Sequence, residues 1–156
     1  MIGASAIAEI IATYQKHGWI LRRVLLTVTS NKKLGKNKDI LFGGVAITVS
    51  EIDAAWFSRP QKKGIIAWEI RYLGELPYAL LERVDESDPE FENILRRTEA
   101  LFRESVARKE TAWRRAGVDV GDVPVGVVRE RVDALDRQHR ALERRHPVER
   151  DRDDEE

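Results

Sequence analysis

Three charged residues in this sequence stand where they could do chemistry. Asp53 closes the triplet Glu51-Ile52-Asp53, and Glu69 and Arg71 bracket Glu69-Ile70-Arg71. Both triplets lie in apolar, strand-like stretches. The residues between them, 58–64 with Pro60, Lys62, Lys63 and Gly64, predict a simple hairpin turn centred near residues 61–62. That register sets Asp53 opposite Glu69, with Arg71 one diagonal away on the same face. Two carboxylates on adjacent strands offer oxygen ligands to Mg²⁺. The ion would lower the pKa of a bound water and stabilise charge on a phosphate, while the guanidinium orients the water or the phosphate. The same residues have a plainer use as the solvated face of an antiparallel sheet. Arg71 would then satisfy the carboxylates in cross-strand pairs worth a few tenths of a kcal/mol, up to ~1.

The elements that must carry these groups follow from periodicity. Residues 4–17 predict a helix, because Ile7, Ile10, Ile11 and Tyr14 recur on one face; Gly18 stands where such a helix stops. Residues 19–28, rich in Ile, Leu, Val and Thr, predict the first strand. Residues 29–44 combine lysines with glycines and predict a polar, basic loop around the apolar island Ile40-Leu41-Phe42. Residues 45–57 predict the second strand. Val45, Ile47 and Val49 share a face while Ile52 and Ala54 take the other, so a bulge or a change of packing partner is expected near Ser50. Residues 65–73 predict the third strand, with Ile66, Trp68, Ile70 and Tyr72 on one face and Ala67, Glu69 and Arg71 on the other. Residues 76–84 fit a short helix opened by Pro77 or an edge strand; the strand is preferred.

Beyond residue 86 the chain is helical and charged. Ser87-Asp88-Pro89-Glu90 reads as a capping box, and Phe91, Ile94, Leu95, Thr98, Leu101 and Phe102 line one face of a helix over 88–115. Residues 117–126, with Pro124 between glycines, predict a linker. Residues 127–146 predict a tail helix whose narrow stripe, Val128, Val132, Leu135, His139 and Leu142, suits docking on a second copy or a partner protein. Residues 147–156 are expected to be a disordered acidic end. The expected fold is α+β: a three- or four-stranded, mainly antiparallel sheet within a 1–116 domain, packed by the N-terminal helix and the 88–115 helix, plus the charged C-terminal helix.

With these pieces in place, residues 5–73 resemble the PD-(D/E)xK nuclease superfamily, in particular small predicted endonucleases related to archaeal Holliday-junction resolvases. The matching pieces are Gly18-Trp19-Ile20-Leu21, Glu51-Ile52-Asp53 and Glu69-Ile70-Arg71-Tyr72. The resemblance implies that Asp53 and Glu69 bind Mg²⁺, that Arg71 replaces the usual lysine, and that Glu9 on the first helix is an extra acidic ligand. The chain departs from the pattern in three ways. The basic stretch 29–44 is an insertion, arginine stands for lysine, and Gly74-Glu75-Leu76-Pro77 reads as a tight turn where the family has a crossover helix.

Composition narrows the remaining classes. There is no cysteine, so disulfides, thiol catalysis and thiolate metal sites are excluded. His17, His139 and His146 form no spaced ligand motif. No P-loop, dinucleotide-binding glycine motif or nucleophile elbow is present. No apolar run approaches a membrane span, so no membrane partner is expected and the cytoplasm is the expected compartment. Net charge is zero overall, yet residues 1–60 hold eight Lys/Arg against four Asp/Glu. Lys32, Lys33, Lys36 and Lys38 supply half of that positive charge and could contact nucleic-acid phosphates, or simply solvate a loop. Two functions remain. One is a divergent or degenerate Mg²⁺-dependent nuclease-like domain acting on nucleic acid. The other is a non-catalytic interaction or self-association module using the 127–146 helix.

Overall fold

The computed structural model describes residues 1–117 and 128–131. Helix α1 (Ala4–Lys16) buries Ile7, Ile11 and Tyr14 on its inner face. It ends as its sequence implies: Gly18 takes φ 80°, and the Trp19 N–H returns to the Tyr14 carbonyl at 3.0 Å.

The centre of the sheet is antiparallel. Strand β1 (Ile20–Leu26) pairs with β3 (Ala54–Pro60), β3 with β4 (Ile65–Tyr72), and β4 with β5 (Tyr78–Asp85). The residues that fitted either helix or strand after Pro77 are thus strand. Two further strands pair in parallel, β2 (Ala46–Val49) outside β1 and β6 (Val128–Arg131) outside β5. The α+β class holds, but the expected three or four antiparallel strands become a six-stranded mixed sheet ordered β2-β1-β3-β4-β5-β6.

The difference arises in residues 45–57, which are not one strand. The chain runs up one side of β1 as β2, passes residues 50–53, and returns on the other side as β3. This is the change of packing partner that the apolar pattern signals near Ser50. A parallel neighbour needs a crossover between β1 and β2, and the stretch expected as a loop supplies it as two short helices, α2 (Val28–Leu34) and α3 (Asn37–Phe42). Gly35 (φ 53°) and Gly43 (φ 63°) end them.

Helix α4 (Phe91–Arg115) starts three residues later than expected, and the capping box does not form. Asp85 takes both the N–H and the hydroxyl of Ser87, and Asp88 takes the Glu90 N–H, so these side chains build turns instead of a cap. The helix then crosses back over the sheet before β6, supplying the crossover that the parallel pairing of β5 and β6 needs. The expected tail helix over 127–146 is corrected at Val128–Arg131, where the free edge of β5 takes the chain as a strand. Residues 118–127 and 132–156, with the rest of that helix and the acidic end, lie outside the described residues.

The sheet is covered on both faces. On one, Ile7, Ile11 and Tyr14 of α1 pack with Leu21, Val24, Leu26, Phe57, Leu34 and Phe42. On the other, Leu95, Phe102 and Val106 of α4 pack with Trp56, Trp68, Ile70 and Tyr78. Trp56, Phe57 and Trp68 are therefore core. Among the described residues no helix is long and apolar enough to cross a membrane.

Candidate functional site

The β3–β4 register sets the geometry. Glu69 faces Phe57, and Arg71 faces Ala55. The expected Asp53–Glu69 pairing is therefore corrected by four residues, a separation of about 13 Å along the strands. The cause is the turn. It closes through the Gln61 N–H to the Ile65 carbonyl at 2.8 Å, and it places Lys63 (φ 63°) and Gly64 (φ 73°) in left-handed backbone. The chain reverses later than residues 61–62, and Asp53 lands beside Leu73, whose N–H bonds the Asp53 carbonyl at 2.9 Å.

Glu69 and Arg71 share the face expected, but that face is not solvated. It lies beneath α1, with Glu69 1% and Arg71 7% exposed. The Tyr14 hydroxyl donates to a Glu69 oxygen, and the Tyr14 ring stacks on Phe57 with centroids 4.1 Å apart. Arg71 donates from Nη1 to the Tyr78 carbonyl at 3.2 Å. Helix α1 is thus bolted to the sheet through a polar contact inside its apolar face. Buried carboxylates require such donors.

Asp53 lies elsewhere. It is 8% exposed and serves α2. Its Oδ1 accepts the Thr27 N–H at 2.8 Å, and its Oδ2 accepts the Ser30 hydroxyl at 2.7 Å. Thr27 is the N-cap of α2, its Oγ1 accepting the Ser30 N–H at 3.2 Å. Negative charge at this helix end is favourable. Glu9 sits on the solvent side of α1. The structure therefore keeps Glu69 and Arg71 on one face of β4, with Tyr14 bonded to Glu69, and leaves Asp53 and Glu9 apart from them. Among the described residues no group of three or more His, Cys, Asp or Glu side chains is placed to hold a metal ion.

A hollow of about 260 Å³ opens next to Asp53, between residues 51–53 and α4. Tyr72 reaches across it to Glu110 at 2.5 Å. Burial first, then the hydrogen bond to Glu110 and the nearby carboxylates, push the Tyr72 phenol above its ordinary pKa, so it stays a protonated donor. Arg103 stands 4.0 Å from Glu51 at the rim. The acids of this hollow thus have partners from the protein itself.

The lysines fare differently. Lys32 and Lys33 close α2, Lys36 stands at the N-cap position of α3 without a side-chain cap, and Lys38 lies in its first turn. Lys32, Lys33 and Lys36 are exposed; Lys38 crosses from α3 to donate to Asn31 of α2 at 2.8 Å. Asp39 is the only carboxylate in residues 27–44. Leu34 and Phe42 pin the helix pair into the core below α1, and Asp53 pins the start of α2. The sequence did carry a signal for α2: Thr27 as cap, Leu34 as its buried residue, Gly35 as its stop. The β-branched Val28 and Thr29 masked it.

In comparisons with protein-family models, with curated proteins and with solved structures, nothing matches this chain.

Proposed function

We propose that this domain holds nucleic acid without cleaving it, through Lys32, Lys33, Lys36 and Lys38 on the α2–α3 pair. On this reading it is a degenerate form of the nuclease-like site, with Asp53, Glu69 and Arg71 turned to structural work and no Mg²⁺ required. One observation carries the reading: the Asp53 carboxylate, bonded to Thr27 and Ser30, fixes the helix from which Lys32 and Lys33 project. Phosphates would neutralise these ammonium groups and release condensed counterions, so affinity would depend on salt more than on sequence.

Fluorescence anisotropy with a labelled oligonucleotide tests this. Binding should be present near 50 mM salt and weaken steeply by about 200 mM. Changing all four lysines to glutamate should abolish it. Absence of binding at low salt, or binding indifferent to the lysines, removes the proposal. Mg²⁺-dependent cleavage abolished by Asp53→Asn would instead return Asp53 and Glu69 to metal catalysis.

A further inference from the structure

The apolar island inside the basic stretch divides in an informative way. Phe42 is 2% exposed and packs into the core; Leu41 is half-buried against it. Ile40, between them and Lys38, is 86% exposed, the most exposed large apolar side chain among the described residues; the next, Val49, reaches 57%. An isolated exposed isoleucine carries no message. This one follows Lys36 by four positions, so helical spacing sets the two on one side of α3. It belongs to the same pair of short helices as Lys32, Lys33 and Lys38.

The aromatic residues supply a second, independent constraint. All four Trp, three Tyr and four Phe of the chain lie within residues 1–117. None is exposed: most are buried, and Tyr72, Phe91 and Trp113 are half-buried. Proteins that take single strands stack unpaired bases on open aromatic rings. This surface has no ring to offer, but it has point charges on a braced scaffold and, in Ile40, a strongly exposed apolar tip. Phosphates on two fixed strands suit the former, and a groove wall or base step suits the latter.

We infer that the ligand of this surface is duplex nucleic acid, gripped at its phosphates by Lys32, Lys33 and Lys36 and touched inside a groove by Ile40. The inference rests on the nucleic-acid reading above and adds the class of ligand and the residue that meets its interior. An anionic membrane is the competing surface for a basic patch with an apolar tip. Membrane binding scales with buried apolar area, and helices of seven and six residues whose exposed large apolar side chains are Ile40 and Val28 offer little of it.

The test compares a short duplex with its own single strand by anisotropy, using the full chain, Ile40→Ala and Lys32→Ala, with phosphatidylserine vesicles as a separate arm. The duplex should bind about tenfold tighter than the strand. Ile40→Ala should weaken the duplex about tenfold and leave the salt slope unchanged, whereas Lys32→Ala should lower the slope by about one. Ile40 is exposed, so thermal melting of its variant should match the parent. Equal or tighter binding of the single strand, an Ile40→Ala variant indistinguishable on duplex, or capture by vesicles but not by duplex would each overturn the inference. If neither nucleic acid binds, the underlying reading fails as well. If both bind through the lysines without preference, only this inference fails.

Discussion

The Ser30 hydroxyl donates to one oxygen of the Asp53 carboxylate at 2.7 Å, while the Thr27 N–H donates to the other at 2.8 Å. Asp53 stands just ahead of β3 and Ser30 in the first turn of α2, so the pair ties the lysine-bearing helix to the sheet. Asp53→Ala should strand a part-buried N–H and lower stability by about 3 kcal/mol, read as a shifted urea midpoint. It should also weaken nucleic-acid binding without touching a lysine. Calorimetry with Mn²⁺ should show no heat at millimolar concentration for either protein. Saturable heat in the parent that disappears in Asp53→Ala would mean that Asp53 is a metal ligand.

Tyr14→Phe isolates the bolt between α1 and the sheet. The ring keeps its stacking on Phe57, and only the donor to Glu69 is lost. Removing a donor from a carboxylate that is 1% exposed should cost about 2 kcal/mol. Hydrogen exchange should locate the loss, with amides of α1 losing protection before those of α4. Equal losses in both helices would show that the contact does not anchor α1 in particular.

The Tyr72–Glu110 contact predicts a response to alkali. The phenol's pKa is raised in the fold, by burial first and then by Glu110, so folding favours its protonated form. The resulting stability is fully present below the unfolded tyrosine value, about 10, and is lost as pH rises through the higher folded value. Urea midpoints should therefore fall more steeply above about pH 10 in the parent than in Tyr72→Phe. Parallel declines would show that Tyr72 is not linked to folding in this range.

Gly74 is required by the same tyrosine. A Cβ at this position would overlap the Tyr72 ring, which the Glu110 bond holds in place. Gly74→Ala should cost about 1–3 kcal/mol, the usual range for overpacking. The cost should shrink when Tyr72 is also alanine, because the two sites share one space. Additive effects in that double-mutant cycle would place the strain in the backbone of residue 74.

What could be read along the chain is what neighbours in sequence dictate. Helical spacing marks Ile7, Ile11 and Tyr14 as one face, and Gly18 as its end, because both depend on a few adjacent residues. Strand alternation likewise assigns Trp68 and Ile70 to a face that meets a helix, and the break in alternation at Ser50 marks a change of neighbour. The site depended on contacts that no local pattern encodes. The register that parts Asp53 from Glu69 was set by the backbone of Lys63 and Gly64 in the turn, and a different turn would slide every pair. Alternation shows that Ala67, Glu69 and Arg71 share a face, but not whether water or α1 covers it. That was decided by Tyr14, a donor 55 residues away in sequence. The parallel pairings of β2 and β6 were equally hidden, because each forms across a helical crossover, and such pairings form through packing free energy between elements far apart in the chain.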